Sequence, residues 1–194
     1  MKDRQKPAYL IAPWRKDHDA SQFTSDIASI RKYILEQAQR DTASRSSAIF
    51  VLTEAGQNIV RAYYSLSSIS IIFSELPNHL QKKLPRYRET SGILLGRLGV
   101  DKLFSEAQTK KFGTKPRLGE MLLIDAQQRA LASTNEIGSA LMIIDAELLS
   151  SEEIAQGAKD PLSFYTQYGF IALTSNPRRL VKTMRSIAKE FESA

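Results

Sequence analysis

Leu118, Met121, Leu122, Ala126 and Ala130 recur at helical spacing between two apolar, strand-like runs at 92–100 and 140–146. Residues so spaced share one helix face, whereas the flanking runs need strand neighbours. A helix over about 118–134 bracketed in this way confines the chain to a mixed α/β (α+β) sheet fold.

The rest of the sequence fits that frame. A short opening strand is expected at 8–12. A helix follows at 26–40, with Asp26 as N-cap, Ile27, Ile30, Ile34 and Ala38 inward, and Arg31, Lys32, Glu36 and Gln39 in water. A polar loop covers 42–47, and strands at 48–53 and 59–72 flank a turn at 54–58. Residues 74–90 carry Pro77, Pro85, Lys82, Lys83, Arg86, Arg88 and His79, and read as an exposed basic connection with one helical turn. Residues 101–117 read as a polar stretch and 147–168 as mostly helical, restarted at Pro161. Strands at 170–173 and 180–184 and a short helix at 185–190 complete the order. The implied organisation is an N-terminal strand and extension (1–22), one domain (23–184) and a C-terminal tail (185–194).

Composition excludes several chemistries. Without cysteine there is no disulfide, thiolate nucleophile or cysteine-bound zinc. His18 and His79 have no histidine at i+4 and read as solvated, so no metal site is expected. No run approaches the roughly 20 apolar residues of a membrane span. Lys2, Asp3, Arg4 and Lys6 precede no apolar run, so no secretory signal or membrane partner is expected and the reading is cytoplasmic. The net charge of +6 favours polyanionic partners.

Specific motifs sharpen this picture. Residues 94–102, LLGRLGVDK, are similar to the "LGRLAVDK" fourth strand of GNAT acetyltransferases of the toxin branch. Residues 118–126, LGEMLLIDA, match that branch's "LGExLLxDA", and 164–170, FYTQYGF, its "FYxxxGF". Residues 62–66, AYYSL, and 84–87, LPRY, follow the same pattern, all in order over about 23–184. The chain thus resembles the GNAT toxins. The resemblance implies a mostly antiparallel mixed sheet with helices on both faces and a splayed central strand pair. It implies acetyl-coenzyme A as co-substrate and an aminoacyl-tRNA acceptor whose acetylation blocks translation. It also implies a ribbon–helix–helix antitoxin and a homodimer.

Site residues follow from the same resemblance. Leu98, Gly99 and Val100 would offer backbone to the pantetheine arm, and the loop entering the central helix would hold the pyrophosphate through Lys115, Arg117, Leu118 and Gly119. Here the sequence departs from the family's glycine-rich "QGQGLG". Arg117 replaces a glycine, Pro116 removes an N–H, and about nine extra residues precede the loop. Either Lys115 and Arg117 replace the lost backbone contacts by charge-assisted bonds, or side chains in place of glycine impair the site. Tyr165 is implied as the acid that protonates the leaving thiolate, a task suited to a phenol; read without the motif, it is a helix-packing aromatic. Arg97 is either half of an ion pair with Asp125 or Asp145, or a substrate neighbour. Lys82, Lys83, Arg86 and Arg88, and a second group of Arg178, Arg179, Lys182 and Arg185, are candidate phosphate contacts; each is equally readable as a solvated basic face. Besides the tRNA-acetylating enzyme, two readings stay open: a GNAT-like pseudoenzyme that binds a partner, and an acetyltransferase of small amines or protein N-termini.

Overall fold

A computed structural model describes residues 8–193; residues 1–7, with Lys2, Asp3, Arg4 and Lys6 and the start of the expected extension, and residue 194 lie outside the described residues. The strands are β1 (Tyr9–Pro13), β2 (Ala48–Glu54), β3 (Ala62–Ile72), β4 (Glu89–Val100), β5 (Leu141–Asp145), β6 (Ile171–Ala172) and β7 (Arg179–Thr183). They form a 7-stranded sheet in the order β1-β2-β3-β4-β5-β7-β6. β1 with β2, β5 with β7 and β6 with β7 are antiparallel, while β4 with β5 is parallel. The mixed, mostly antiparallel sheet is therefore as expected. The described residues divide into two compact units, 8–65 with 97–125, and 66–96 with 126–193.

In the first unit, α1 (Ala28–Lys32) runs through a π-helical turn (Tyr33–Gln37) into α2 (Ala38–Ser44). The predicted inward residues Ile30, Ile34 and Ala38 are buried, with Ile27 packed beside them. The π turn adds a residue to the helical period, so Tyr33 turns inward next to Ile34. The core includes Phe23, Ile49, Val51, Val60 and Tyr63. Asp26 is not the N-cap. Ile27 occupies that position without a side-chain bond, and Asp26 instead pairs with Lys102 at 2.5 Å. The helix also takes up the first half of the loop expected at 42–47, ending at Arg45 with φ 59°. The polar stretch expected after Asp101 is in fact helix α4 (Lys102–Phe112), closed by left-handed Gly113 at φ 74°. His18 is buried, not solvated: it is 9% exposed, and its Nδ1 accepts the Arg15 N–H at 2.9 Å.

α5 (Leu118–Ser133) begins in the first unit and ends in the second. Its buried face holds Leu118, Leu122, Leu123, Ala126, Gln127 and Ala130; Met121, expected inside, is 38% exposed. In the second unit, Ile71, Leu76, Leu80, Leu141, Ile143, Leu173 and Val181 form the core. Between β3 and β4 lie two turns of helix where one was expected, a 3-10 turn (Phe73–Glu75) and the one-turn helix α3 (Asn78–Gln81). Residues 147–168 hold less helix than expected, only α6 (Ser151–Ala155) and α7 (Pro161–Thr166), each started by a side-chain cap from Ser150 and Asp160. α8 (Met184–Glu192) packs Met184 and Ile187 inward.

Candidate functional site

Pairing of β4 with β5 is registered over Gly92–Leu95, and β4 itself continues to Val100. Leu98 and Val100 are half-buried along this extension. Gly99 between them presses against α1. A Cβ there would lie 2.4 Å from Ile30 Cγ2, 2.9 Å from Tyr63 Cε1 and 3.3 Å from Phe23 Cζ. Its glycine is thus required by close packing. Arg97, on the same strand face, lies over the Tyr33 ring at 5.7 Å. Asp145, one of its two anticipated partners, is gripped by Arg179.

The loop residues lead directly into α5. Leu118 opens the helix and is buried, Gly119 follows in the first turn, and the first N–H groups have no acceptor within the helix. Arg117 is swung into solvent, its side chain 78% exposed, with Nε 2.5 Å from Glu120 Oε2. Lys115 is exposed as well. The bulky residue in the glycine position therefore projects outward.

Tyr165 lies in the second unit on α7, 6% exposed, between Phe164 at 5.1 Å and Phe170 at 6.3 Å, both edge-on. Burial first, and then the charge of Glu147, push its phenol well above the usual range, so it stays protonated at neutral pH. After α7 the chain reverses at Gly169, φ 79°, a conformation that favours glycine. The Tyr165 carbonyl accepts the N–H groups of Tyr168 at 3.1 Å and Phe170 at 3.4 Å.

The two basic groups differ in their surroundings. Lys82, Lys83, Arg86 and Arg88 are exposed, and among the described residues no carboxylate pairs with any of them. Lys82 and Arg86 line a pocket of about 420 Å³ with Phe73, Asn78 and Gln81, and Tyr87 beside them is 71% exposed. Arg178, by contrast, forks onto Asp160 with both bonds at 2.9 Å and also donates to the carbonyls of Ala146 and Glu147. Arg179 forks onto Asp145 at 2.6 and 2.8 Å. Lys182, expected as a surface cation, is a buried ammonium 3% exposed, because β7 turns it inward. Among the described residues no group of three or more His, Asp or Glu side chains is placed to hold a metal ion.

No protein-family model matches the sequence. A probable toxin TacT from Sinorhizobium fredii is 24% identical over 173 residues, covering 88% of this chain and 89% of the relative. A tyrosine-to-phenylalanine variant of KacT superposes with a TM-score of 0.76 at 22% identity, covering 94% of this chain and 99% of the other. AtaT complexed with acetyl-methionyl-tRNA gives 0.74 at 20% identity, with 95% and 99% covered. The chain has the GNAT fold of these toxins. A tyrosine-to-phenylalanine AtaT variant bound to the C-terminus of its antitoxin AtaR and acetyl-CoA shares the fold at 0.67 and 18% identity, with 94% and 98% covered. α4 occupies the sequence between β4 and the α5 entry, where the resemblance placed the extra residues.

Sequence reasoning missed three features of the site region. The Tyr64–Asp125 pair and the Glu147 charge near Tyr165 join positions far apart in sequence, and no local spacing announces them. Lys182 was detectable, since it lies between Val181 and Thr183 in a strand whose last four residues are all buried.

Proposed function

We propose that the chain is an acetyl-CoA-dependent N-acetyltransferase toxin that acetylates the amino group of aminoacyl-tRNA and so halts translation. The observation that carries this reading is Tyr165, a buried phenol kept protonated by its surroundings, on the element that the "FYxxxGF" resemblance assigns to acid catalysis. Acetyl-CoA supplies the thioester acyl group. The acceptor amine forms the new C–N bond as the C–S bond breaks, Tyr165 delivers its proton to the departing sulfur, and the proton that the amine nitrogen gives up returns through solvent to restore the phenol. The backbone of Leu98, Gly99 and Val100 lies along the β4 extension beyond its registered pairing, which fits an arm bound in the manner of an added strand. The N–H groups at Leu118 and Gly119 suit a diphosphate, with Lys115 and Arg117 as nearby cations that leave the helix end open. Lys82, Lys83, Arg86 and Arg88, paired with no carboxylate among the described residues, are the contacts for tRNA phosphates; Arg178 and Arg179 have their charges matched within the fold. A ribbon–helix–helix antitoxin, a homodimer and a cytoplasmic setting complete the reading, in which 23–184 is the catalytic domain.

The test is acetyl transfer to purified methionyl-tRNA, with polyamines and peptides as competing acceptors. Tyr165→Phe is expected to lower kcat by about 10²–10⁴ while leaving the acetyl-CoA Kd unchanged. Transfer to polyamines or peptides alone would reassign the acceptor. A second reading, a scaffold without cofactor, is favoured by Pro116 and Arg117 standing where the family has a glycine-rich loop. Calorimetry separates the two, since micromolar acetyl-CoA binding excludes the scaffold.

A further inference from the structure

Lys182 is a buried charge that the proposed reaction does not use. Its side chain is 2% exposed in the middle of β7, where its neighbours Leu180 and Val181 are apolar. An ammonium withdrawn from water is costly unless each proton finds an acceptor. Here Nζ donates to Gln127 Oε1 at 3.0 Å, to the Tyr168 carbonyl at 2.7 Å and to Glu190 Oε2 at 2.6 Å. One side chain therefore ties β7 to α5, to α8 and to the reversal that follows α7.

The contact with the reversal bears on chemistry. The Tyr168 carbonyl lies in the peptide leading to left-handed Gly169, and Lys182 Nζ also sits 5.5 Å over the Phe170 ring. The same reversal closes on the Tyr165 carbonyl through the Tyr168 and Phe170 N–H groups, and the Phe170 ring meets the Tyr165 ring edge-on. A backbone route and an aromatic route thus both run from the ammonium to the phenol.

We infer that Lys182 is a positioning residue that clamps the Tyr168–Gly169–Phe170 turn and thereby fixes the direction in which Tyr165 presents its hydroxyl; this rests on the reading of Tyr165 as proton donor. An apolar residue would fill the strand position but would leave the Tyr168 carbonyl without its donor.

The experiment compares wild-type, Lys182→Met, Tyr165→Phe and the double variant in steady-state acetylation of methionyl-tRNA, with hydrogen exchange on the same chains. Lys182→Met should lower kcat at least about tenfold with the KM for tRNA within about twofold, and its loss should not multiply with that of Tyr165→Phe. Exchange of amides 165–170 should quicken by about tenfold or more, with β2 unchanged. Unchanged kcat, or losses that multiply, would overturn the clamp. Should the wild-type transfer no acetyl group, the acetyltransferase reading falls and exchange alone judges the clamp: faster exchange confined to 165–170 upholds it, and uniform or absent change refutes it. If Lys182→Met fails to fold, Glu190→Gln takes its place, with a smaller kcat loss expected under the same cycle and refutation on the same terms.

Discussion

The Tyr64 hydroxyl donates to the Asp125 carboxylate, tying β3 to α5 within the first unit. Tyr64 is fully buried and stacks on Phe50 at 5.1 Å, so the bond is made at the foot of a packed aromatic pair. Tyr64→Phe keeps the packing and removes the donor. A loss of about 1.5–3 kcal/mol is expected, as for hydrogen bonds to charged groups. Urea unfolding measures it, and a double-mutant cycle with Asp125→Asn should show coupling between the two positions. Independent, additive losses would show that the pair does not act as a unit.

Gly99 should tolerate no side chain. The added Cβ of Gly99→Ala would meet Ile30, Tyr63 and Phe23, two of them inside 3.0 Å. Overpacking of this kind costs about 1–3 kcal/mol. Thermal melting should register the drop, and Ile30→Ala in the same chain should return part of it. A melting temperature equal to that of the wild-type would mean that β4 shifts freely at this point.

The exposed cations predict a salt signature. Each phosphate contact contributes about 0.7–0.9 to the slope of log K against log salt. Changing Lys82, Lys83, Arg86 and Arg88 together to Gln should therefore reduce the slope for tRNA by about three, without altering the melting curve. A slope that stays at the wild-type value would move the tRNA interface to another face.

His18 should make stability fall in mild acid. Burial first, then Arg15, hold its folded pKa below the ordinary 6.5, against the weaker opposing pull of Asp17. The unfolded chain therefore binds more protons as pH falls below about 6.5, and the contribution of the neutral imidazole, complete above that value, is lost toward the lower folded pKa. Urea midpoints between pH 7.5 and 5 should drop more for the wild-type than for His18→Gln. Parallel profiles would count against the buried neutral imidazole.

Where apolar residues dominate, local spacing carried the fold. The stripe of α5, the inward Ile30, Ile34 and Ala38, and the strands at 48–53 and 92–100 all announce themselves, because burial of one face enforces the period. α4 was illegible because its buried face holds Ser105 and Gln108 beside Phe104, leaving no apolar stripe to read. Asp26 looked like a cap by residue type, yet Lys102, distant in sequence, claims it. The basic residues near 178–182 looked alike in the sequence. The tertiary arrangement of Asp145, Asp160 and Glu190 separates these matched charges from Lys82, Lys83, Arg86 and Arg88, which pair with no carboxylate among the described residues.

Arg178 has one more consequence. It holds the carbonyls of Ala146 and Glu147 with the same guanidinium that grips Asp160. Both ends of the segment 148–159 are thus held by a single staple, and that segment carries the solvent-facing Leu148 and Ile154. Loop closure entropy grows only with the logarithm of length. That segment is therefore free to lengthen, shorten or change its apolar surface to suit whatever it meets, at little expense to the rest of the molecule, for as long as position 178 remains arginine.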